Sequence, residues 1–589
     1  MAQKARIPPI ISTADKQVRL GLKKSDIVNR VKELINKREP YVNRWREIRK
    51  YQLPFIGQFD GEDDETNAAN RKDNHIYHGV AWEANQIFAA GLMSGLTPPN
   101  RKWFRLAFDR PELMDNTDMG NILDRRMDII NSVLERSNFY TAIHSCYLEL
   151  AFGQAPLGIF PDTKLGVHFV AYPIGSYAME TGPDGTIEFF CRKYKMSARQ
   201  IVDKFGVENV PYNIRQELEN GGPGLKANHT VVWYVEPNKF ADNSMLGAEY
   251  LPYMSVYYVE GSQEDEFLYI GGFYEFPAPV ARYLITGNDS YGKGPGWFAE
   301  GDSKSLQVME KDRLQAVELG VKPPVQAPPD VAMKGINMIP GGKTYRAGGE
   351  KIEPLFQVGT NLDHLTQAIG EQVDRIKRVY NANLFMMLDQ LNDKTMTARE
   401  VLERNQEKMA ILGPVVQRMQ FEFLGRIIER VYNILDRAHA FPEPEDPELA
   451  MQLASEEIKI EYISPLAQAQ KMSGLVNIEQ AVQFAAQLAQ FDQSILQKMN
   501  WSETLNQYFA LVGAPSAIKR SDDEYEEIVN QQKEAMARQQ QEMQAMQLVQ
   551  AAAPAAQAAK NATEAANDGN PVLANLLGMP TQQGDVRNV

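Results

Sequence analysis

Cysteine is nearly absent from this sequence. Cys146 and Cys191 are the only two cysteines among 589 residues, and they do not form a CxxC pair. A disulfide framework and a cysteine-based zinc site both need more cysteines at closer spacing, so both are excluded. Two isolated thiols are ordinary in a reducing compartment, and they suggest no redox chemistry.

Positive charge is also in short supply. The sequence has 62 Lys and Arg residues against 76 Asp and Glu residues, which gives a formal net charge of -14. A protein that grips DNA generally needs surplus cations to displace the counterions of the phosphates. Tight general binding of DNA is therefore not expected.

Long hydrophobic runs are missing as well. No stretch of about 18 consecutive apolar residues occurs that could span a bilayer, and the N-terminal MAQKARIPPIIST has no long apolar segment. We therefore expect a soluble protein that is not exported. The 43% hydrophobic and 23% charged residues are typical of a globular protein, and the length predicts several domains or one elongated fold.

Two segments resemble nucleotide-binding loops, but each lacks an essential member. GNDSYGKG at 287–294 matches G-x-x-x-x-G-K, yet Gly294 stands where a Ser or Thr hydroxyl must hold magnesium. The GKT at 342–344 has Asn337 in place of the first loop glycine, and no apolar strand leads into it. No Walker B strand is evident. We expect structural turns in both places.

Metal and catalytic motifs are absent too. Only His75 and His78 of the seven histidines lie close together, and this HxxH lacks a third ligand, so polar surface histidines are favoured over a metal site. The acidic run 60–66 lacks the central glycine of a calcium loop. There is no GxSxG or HExxH motif. We expect no enzyme activity, no cofactor and no metal.

What the sequence does contain is a mainly helical α+β pattern. Apolar residues at helical spacing predict helices at Ser25–Tyr51, where Pro40 should kink or divide the helix, at Val80–Leu96 and at 121–152 with a stop at Gly153. Pro98 and Pro99 should end the second of these, with Trp103 and Phe104 as anchors of its exit. Strands are predicted at YAMET, TIEFF, VVWYVEP, YMSVYYVEG and FLYIGGFYEF, the first two being joined by a GPDG turn.

The pattern changes after Tyr291. A helix is predicted over Asp302–Gly320, with Leu306, Met309 and Val317 facing inward and Gly320 as its C-cap. A Pro- and Gly-rich insertion follows over 321–359. The next helix carries one apolar stripe, which consists of Leu362, Leu365, Ile369, Val373, Ile376 and Tyr380.

A polar run over 381–394 then predicts a loop, and Thr397 with Glu400 forms a capping box that starts another helix. That helix should extend to about Ala438 and kink at Pro414. EEIKIEYI predicts a strand, and 466–512 is alanine-rich and helical. From about Asp523 onward the Gln- and Ala-rich tail is expected to be helical or disordered.

Several of these segments, in this order, resemble one known family. They are GLMSGLTPPNRKWFRL, the SNF of Ser137–Phe139 that opens a helix, NDSYGKGPG before a helix, KPP at its end, MTAREVLERNQEKMAILGPVVQRM and YISPLAQAQK. Together they resemble the head-to-tail connecting (portal) proteins of short-tailed podovirus-type phages, from about Asp26 to Pro515. Unrelated folds would not reproduce six such pieces in one order.

The resemblance implies a portal fold for each part of the chain. A wing of helices and small β elements would cover 1–298, with stem helices at 299–322 and 360–381 and a clip at 323–359 between them. A tunnel loop would occupy 382–396, and a long kinked helix would return to the wing over 397–440. A helical crown would follow at 441–522, and 523–589 would be the tail.

The resemblance also implies a function and partners. The chain would form a dodecameric ring at one capsid vertex, through which double-stranded DNA passes without sequence specificity during packaging, retention and ejection. Its partners would be the major capsid protein, the terminase, a tail adaptor and scaffolding or internal core proteins, in a virion assembled in the host cytoplasm. An internal core or scaffolding protein is the alternative, and a packaging ATPase is a weaker one.

In a ring, each charge is repeated once per subunit, so a few cations could centre DNA even though the subunit is acidic. A solvated face, or one that forms salt bridges between subunits, is an alternative for each of them that carries at least as much weight. The candidates for contact with DNA are Arg375, Lys377, Arg378, Lys394 and Arg399. The candidates in the tunnel loop are Asn383, Met387, Asp389, Asn392 and Lys394, and those in the clip are Lys334, Lys343 and Arg346.

Overall fold

A computed structural model gives the architecture of the chain. It describes residues 12–59, 73–110, 117–220, 228–242, 244–262, 265–322, 324–326, 353–354, 362–390, 412–442, 444, 446–464, 478–479, 481–488, 498–512, 528–544, 557 and 560–561. These residues mix helix and sheet, as the α+β pattern predicts.

The chain comprises two compact units. The first contains Met1–Asp109 and Ile122–Ala514, and the second contains Arg110–Asn121 and Pro515–Val589. Within the second unit, 528–544 is helical, which agrees with one of the two expectations for the tail.

The first unit begins with two helices, α1 (Thr13–Leu20) and α2 (Lys24–Tyr51). The side chain of Ser12 caps α1, and Gly21 ends it with a φ of 61°. Helix α2 continues through Pro40, so of the predicted kink or division at this proline the division is wrong. Val42, Trp45 and Ile48 beyond the proline are buried like the residues before it, and this burial holds both halves in one helix.

The sequence predicted some of the other helices in the first half and missed others. They are α3 (Val80–Leu96), α4 (Thr117–Arg136), α5 (Phe139–Glu149), α6 (Ala198–Phe205), α7 (Tyr212–Asn220) and the short α8 (Pro295–Phe298). The bounds of α3 agree with the prediction, and Trp103 and Phe104 are fully buried after it. Helices α6 and α7 were not predicted.

The single helix predicted over 121–152 is wrong, because α4 and α5 are separated at Ser137 and Asn138. The Asn138 amide donates to the carbonyl of Phe169 at 2.7 Å and accepts from its N–H at 2.9 Å. This pair of hydrogen bonds draws the backbone out of its helical path. A single 3-10 turn, Leu150–Phe152, follows α5 and stops at Gly153 as predicted.

The largest sheet of the described residues is antiparallel and has five strands. Its order is β4 (Tyr177–Thr181), β5 (Ile187–Ser197), β6 (Asn228–Pro237), β7 (Tyr253–Val259) and β8 (Tyr269–Phe273), which matches the predicted strands. Cys191, Tyr234, Val256 and Ile270 are aligned across four strands. This row packs against Ile27, Val31 and Leu34 of α2.

The described residues also contain three smaller sheets. The order β3 (Gly166–Ala171), β2 (Gln154–Asp162) and β9 (Val280–Arg282) forms one of them, and β10 (Val325–Gln326) with β11 (Glu353–Pro354) forms another. The third pairs β1 (Phe104–Phe108) with the distant β12 (Ile458–Tyr462), whose strand was predicted.

The second half contains α9 (Glu300–Val321), α10 (Leu362–Val379), α11 (Ala382–Gln390), α12 (412–437), α13 (Pro447–Ser455) and α14 (Trp501–Val512). Gly320 is not the C-cap of α9, because the helix continues to Val321 and Lys322 caps it. The loop predicted from Asn381 onward is wrong over 382–390, which is helical. Residues 327–352 of the insertion lie outside the described residues.

Helix α12 is the described part of the helix predicted over 397–440. Its buried face consists of Leu412, Val416, Met419, Phe423, Ile427, Val431 and Leu435. A π-helical turn, Met419–Leu424, interrupts it and was not predicted. The guanidinium of Arg430 fixes the helix to β2 through the carbonyl of Ile159 at 3.1 Å. The capping pair Thr397 and Glu400 lies outside the described residues.

Three glycines allow the chain to cross itself closely beside α8. Gly153 has a φ of 115°, and a Cβ there would lie 2.1 Å from the carbonyl oxygen of Gly292. A Cβ on Gly294 would lie 2.3 Å from the carbonyl oxygen of Ala151. Gly292 and Gly294 of GNDSYGKG therefore serve backbone packing, as expected for a structural turn.

We expect Gly153→Ala to lower the stability of the protein by about 1–3 kcal/mol or more, since it adds backbone strain to a clash with Gly292. Gly301→Ala in α9 is the control, because a Cβ at Gly301 meets nothing within 4 Å. Urea denaturation followed by tryptophan fluorescence measures both. Equal urea midpoints for the two variants would show that the close approach of the backbone does not require glycine at position 153.

Candidate functional site

The antiparallel pair α9 and α10 is the feature on which the candidate site is built. The two helices pack against each other, and at the start of the insertion Val325 pairs with Pro354 and Gln326 with Glu353. The insertion therefore leaves and re-enters the pair side by side. Because α9 and α10 join the rest of the first unit at one end, we call that end the root of the pair.

A buried glutamine fixes α9 at the root. The Gln307 carbonyl oxygen accepts hydrogen bonds from the N–H groups of Tyr77 and His78 at 2.6 and 2.9 Å. Its amide nitrogen donates to the carbonyl of His78 at 3.0 Å and to that of Tyr51 at 3.4 Å. One side chain, 3% exposed, thus satisfies backbone groups of two other segments.

A second buried glutamine fixes α10. The Tyr380 hydroxyl, at the C-terminal end of α10, donates to the side-chain oxygen of Gln52 at 2.7 Å. The amide nitrogen of Gln52 donates to the carbonyl of Gly296 at 2.9 Å. Burial raises the pKa of Tyr380, so its hydroxyl keeps its proton and remains a donor at neutral pH.

Ion pairs surround these two hydrogen-bonded centres. Glu300 accepts from Arg44 at 2.8 Å and from Lys304 at 2.7 Å, and Lys304 also lies 2.7 Å from Glu47. The hydrogen bond from Lys304 lowers the pKa of Glu47. Glu47 therefore keeps its charge at neutral pH, although the exposed members of the network contribute little to stability.

Away from the root, the apolar face of α9 loses its cover. Leu306 is fully buried, and Leu314, Val317 and Val321 follow it on the same helical face, but they are 46%, 41% and 72% exposed. Within the described residues of a single chain no other segment covers Val317, so the prediction that this side chain faces inward is wrong for the isolated subunit. On α10, Ile369 and Ile376 of the predicted stripe are buried, whereas Leu362 at its far end is 39% exposed.

The predicted cations of α10 have different surroundings. Arg375 lies 4.0 Å from the Asp302 carboxylate, and Lys377 lies 3.8 Å from that of Glu83. Arg378 is exposed and donates to the carbonyl of Asp374 on its own helix at 3.3 Å. Among the residues that the structure describes, Arg378 forms no ion pair.

The predicted tunnel-loop residues begin on a docked helix. Asn381 joins α10 to α11 with a φ of 54°, a left-handed conformation that asparagine tolerates better than most residues. Phe385 of α11 then lies against α3, where a Cβ on Gly91 would come within 2.2 Å of its ring. Asn383 on α11 is half-buried.

The other predicted site residues lie on α11 or outside the described residues. Met387 and Asp389 belong to α11. Asn392, Lys394 and Arg399, together with the clip candidates Lys334, Lys343 and Arg346, lie outside the described residues. The structure therefore brings together Arg375, Lys377 and Arg378 on one helix and leaves the grouping with the others as a prediction.

The nucleotide-loop and histidine segments have local roles. The Lys293 ammonium donates to the Thr286 hydroxyl at 2.7 Å and lies 3.7 Å from Asp289, so the loop satisfies its own lysine. The His78 ring nitrogen accepts from the N–H of Val80 at 3.2 Å. In the described part of the chain no three His, Cys, Asp or Glu side chains group as metal ligands. The helices described there also include none with the length and hydropathy of a membrane span.

Sequence reasoning missed Gln52 and Gln307. Isolated glutamines belong to no motif, and helical periodicity treats them as surface residues. The only available signal is that Gln307 directly follows Leu306 on the inward face of α9.

Comparisons with known proteins cover most of the chain. The family model described as "Bacteriophage head to tail connecting protein" matches residues 24–519. The portal protein of Salmonella phage epsilon15 is 32% identical over 505 residues, which are 84% of this chain and 88% of that protein. The probable portal protein of Bordetella phage BPP-1 is 30% identical over 485 residues, with 81% and 86% covered.

Among solved structures, a chain of the virion of the native gene transfer agent particle aligns with 68% of this chain and 86% of its own length. The identity is 10% and the TM-score is 0.30.

We expect Gln307→Leu to destabilise the protein by about 1–3 kcal/mol, because the part-buried N–H groups of Tyr77 and His78 would lose their acceptor. Gln315→Leu, at an exposed position of the same helix, is the matched control. Chemical denaturation gives the stabilities, and limited proteolysis of 73–79 reports on the local loss. A Gln307→Leu variant as stable as the control would show that these bonds do not hold α9.

Proposed function

Because the chain belongs to the family of bacteriophage head-to-tail connecting proteins, and is thus a portal subunit at the capsid vertex of a virion, we propose that α9 and α10 are its stem. In the assembled ring these paired helices surround the channel through which double-stranded DNA is packaged, retained and ejected. The observation that carries this proposal is the apolar face of the pair, which is buried at the root and uncovered beyond it.

A second copy of the chain is the partner that this face fits. Leu306 of α9 is buried in the body, and its helical face continues with Leu314, Val317 and Val321. A partner that covers these three side chains extends the buried contact along α9. In a closed ring each subunit offers the same two flanks to its neighbours, and packing between neighbouring helical pairs buries this face in every copy. We also propose that twelve copies of the chain form the ring.

The charges on α9 and α10 suit a channel through which DNA slides better than a surface that binds DNA tightly. The exposed positions of α10 include the carboxylates of Asp363, Glu371 and Asp374 as well as Arg375 and Arg378. Since Arg375 and Lys377 each lie near a carboxylate of their own chain, Arg378 is the strongest candidate of the three for contact with phosphate. A sparse ring of arginines among acids centres DNA without holding it.

The remaining parts follow the order of the chain. We assign 1–298 to the wing, 299–322 and 360–381 to the stem, 323–359 to the clip, 382–396 to the tunnel segment, 397–440 to the returning helix and 441–522 to the crown. The close pairing of β10 with β11 supports a clip that projects from the end of the stem. There it would meet the terminase and the tail adaptor through residues that include Lys334, Lys343 and Arg346.

The tunnel segment begins on α11 rather than as a loop. We propose that Asn383, Met387, Asp389, Asn392 and Lys394 lie toward the channel, with Arg399 at the start of the returning helix. The docking of Phe385 on α3 supports this assignment, since it holds the start of the segment next to the body. The family is structural, and the subunit is proposed to act without a cofactor or catalytic residue.

We expect Val317→Asp to prevent ring assembly while the subunit still folds, because the charge would be buried between copies but is solvated in the monomer. Gln315→Asp adds the same charge at an exposed position of α9 and should leave the ring intact. Light scattering and negative-stain images give the oligomeric state. Normal rings from Val317→Asp would remove this face from the interface.

We expect Arg378→Glu to leave rings intact but to reduce the amount of DNA retained in particles severalfold, since each ring loses a full set of cations. Lys32→Glu on α2 is the control for a surface charge reversal. Lys394→Glu tests the tunnel segment in the same assay. Normal packaging and retention would exclude whichever residue was changed.

A further inference from the structure

Strand β12 has backbone groups on one side that take no part in its pairing with β1. The N–H of Ile463 donates to the carbonyl of Trp103 at 3.0 Å, and from there the strands run antiparallel to the pair of Ile458 and Phe108. Opposed residues of an antiparallel pair exchange hydrogen bonds only at every second position, so the odd-numbered residues of β12 bond β1. The N–H and C=O groups that point away from β1 are those of Ile458, Ile460 and Tyr462, which we call the open edge.

The open edge has no backbone partner among the described residues. There β12 pairs with β1 alone, and no other backbone hydrogen bond reaches the three residues. All three are half-buried, so their backbone groups have lost part of their contact with water. An unpaired edge of this kind is a template on which another strand forms.

Outer strands elsewhere in the chain carry side-chain caps. On β4 the Tyr291 hydroxyl accepts from the N–H of Met179 at 3.0 Å. On β3 the Asn138 amide bonds both backbone groups of Phe169, and on β8 the Lys16 ammonium donates to a carbonyl at 3.4 Å. Because capping blocks the addition of a strand, the uncapped edge of β12 indicates a place where a strand is added.

A groove lies beside the open edge. Its volume is about 1140 Å³, and α12 and β12 form two of its walls. The three residues of the open edge line it together with Leu106 and with Phe421 of the π-helical turn, whose side chain is 75% exposed. Side chains alternate along a strand, so a strand added to β12 would place every second side chain in this groove.

We propose that an extended segment of a neighbouring copy pairs with the open edge and seats apolar side chains in the groove. The inference rests on the proposed function, because a closed ring gives each copy one neighbour on each flank. The same contact then covers every open edge once, and a second copy is present in the same number as the edges. A two-stranded ribbon is only marginally stable, and a third strand stabilises it.

The test measures hydrogen exchange at single amides of β12 by mass spectrometry, in wild-type monomers isolated before assembly and in assembled rings. Assembly should slow exchange at Ile460 and Tyr462 about tenfold or more, because their N–H groups gain acceptors. Lys459 and Glu461 are the internal controls. Their N–H groups already face β1, so their exchange should be slow in both states.

Four results of this measurement would overturn the proposal. They are unchanged exchange at Ile460 and Tyr462 in rings, slow exchange there already in the monomer, an equal slowing at all four amides, and slowing that requires a shell or adaptor protein. A wild-type chain that forms no rings would overturn the proposed function and this inference with it.

A variant tests the same edge independently. Ile460→Pro removes one N–H of the open edge and no hydrogen bond of the ribbon, so the subunit should fold while the yield of rings falls about tenfold or more. Ile460→Val keeps the N–H and is the matched control, with a normal yield expected. Circular dichroism reports the fold, and negative-stain images count the rings. A folded Ile460→Pro subunit that assembles as Ile460→Val does would overturn the proposal.

Discussion

The hydrogen bonds of two buried glutamine side chains, Gln52 and Gln307, hold the pair of α9 and α10 to the body. Each amide offers a donor and an acceptor from one rigid plane, so it can join backbone groups of segments that share no secondary structure. Gln307 joins α9 to 73–79, and Gln52 joins α10 to α8. Hydrophobic contact alone would let the helices slide, whereas these bonds fix the position at which α9 and α10 leave the body.

Helices and strands with one buried face were predictable from the sequence. Helix α3 and the five-stranded sheet follow from periodicity and turn residues, because burial on one side imposes a period. The failures occur where a distant group decides. Asn138 leaves the helical path because Phe169 supplies two backbone partners. Helix α11 forms within a segment predicted as a loop because Gly91 leaves room for Phe385 on another helix.

The candidate site was predictable only in its outline. The sequence marks a basic stretch on α10, but it does not reveal that Asp302 and Glu83 lie beside two of its cations. Helical spacing predicted an inward Val317, which is correct for the face but not for what lies opposite it in one chain. A periodic apolar pattern indicates that one face of a helix becomes buried. It does not indicate whether the residues that bury this face belong to the same chain or to another copy.

The ribbon of β1 and β12 has a consequence for the timing of synthesis. Phe104 pairs with Tyr462, more than 350 positions later in the chain. At about 5–20 residues per second, a ribosome needs roughly 20–70 s to produce the second strand after the first. Until then β1 has an unpaired edge, and an isolated short strand is not stable. The N-terminal body therefore reaches its final form only late in translation, so incomplete chains do not present a finished subunit for assembly.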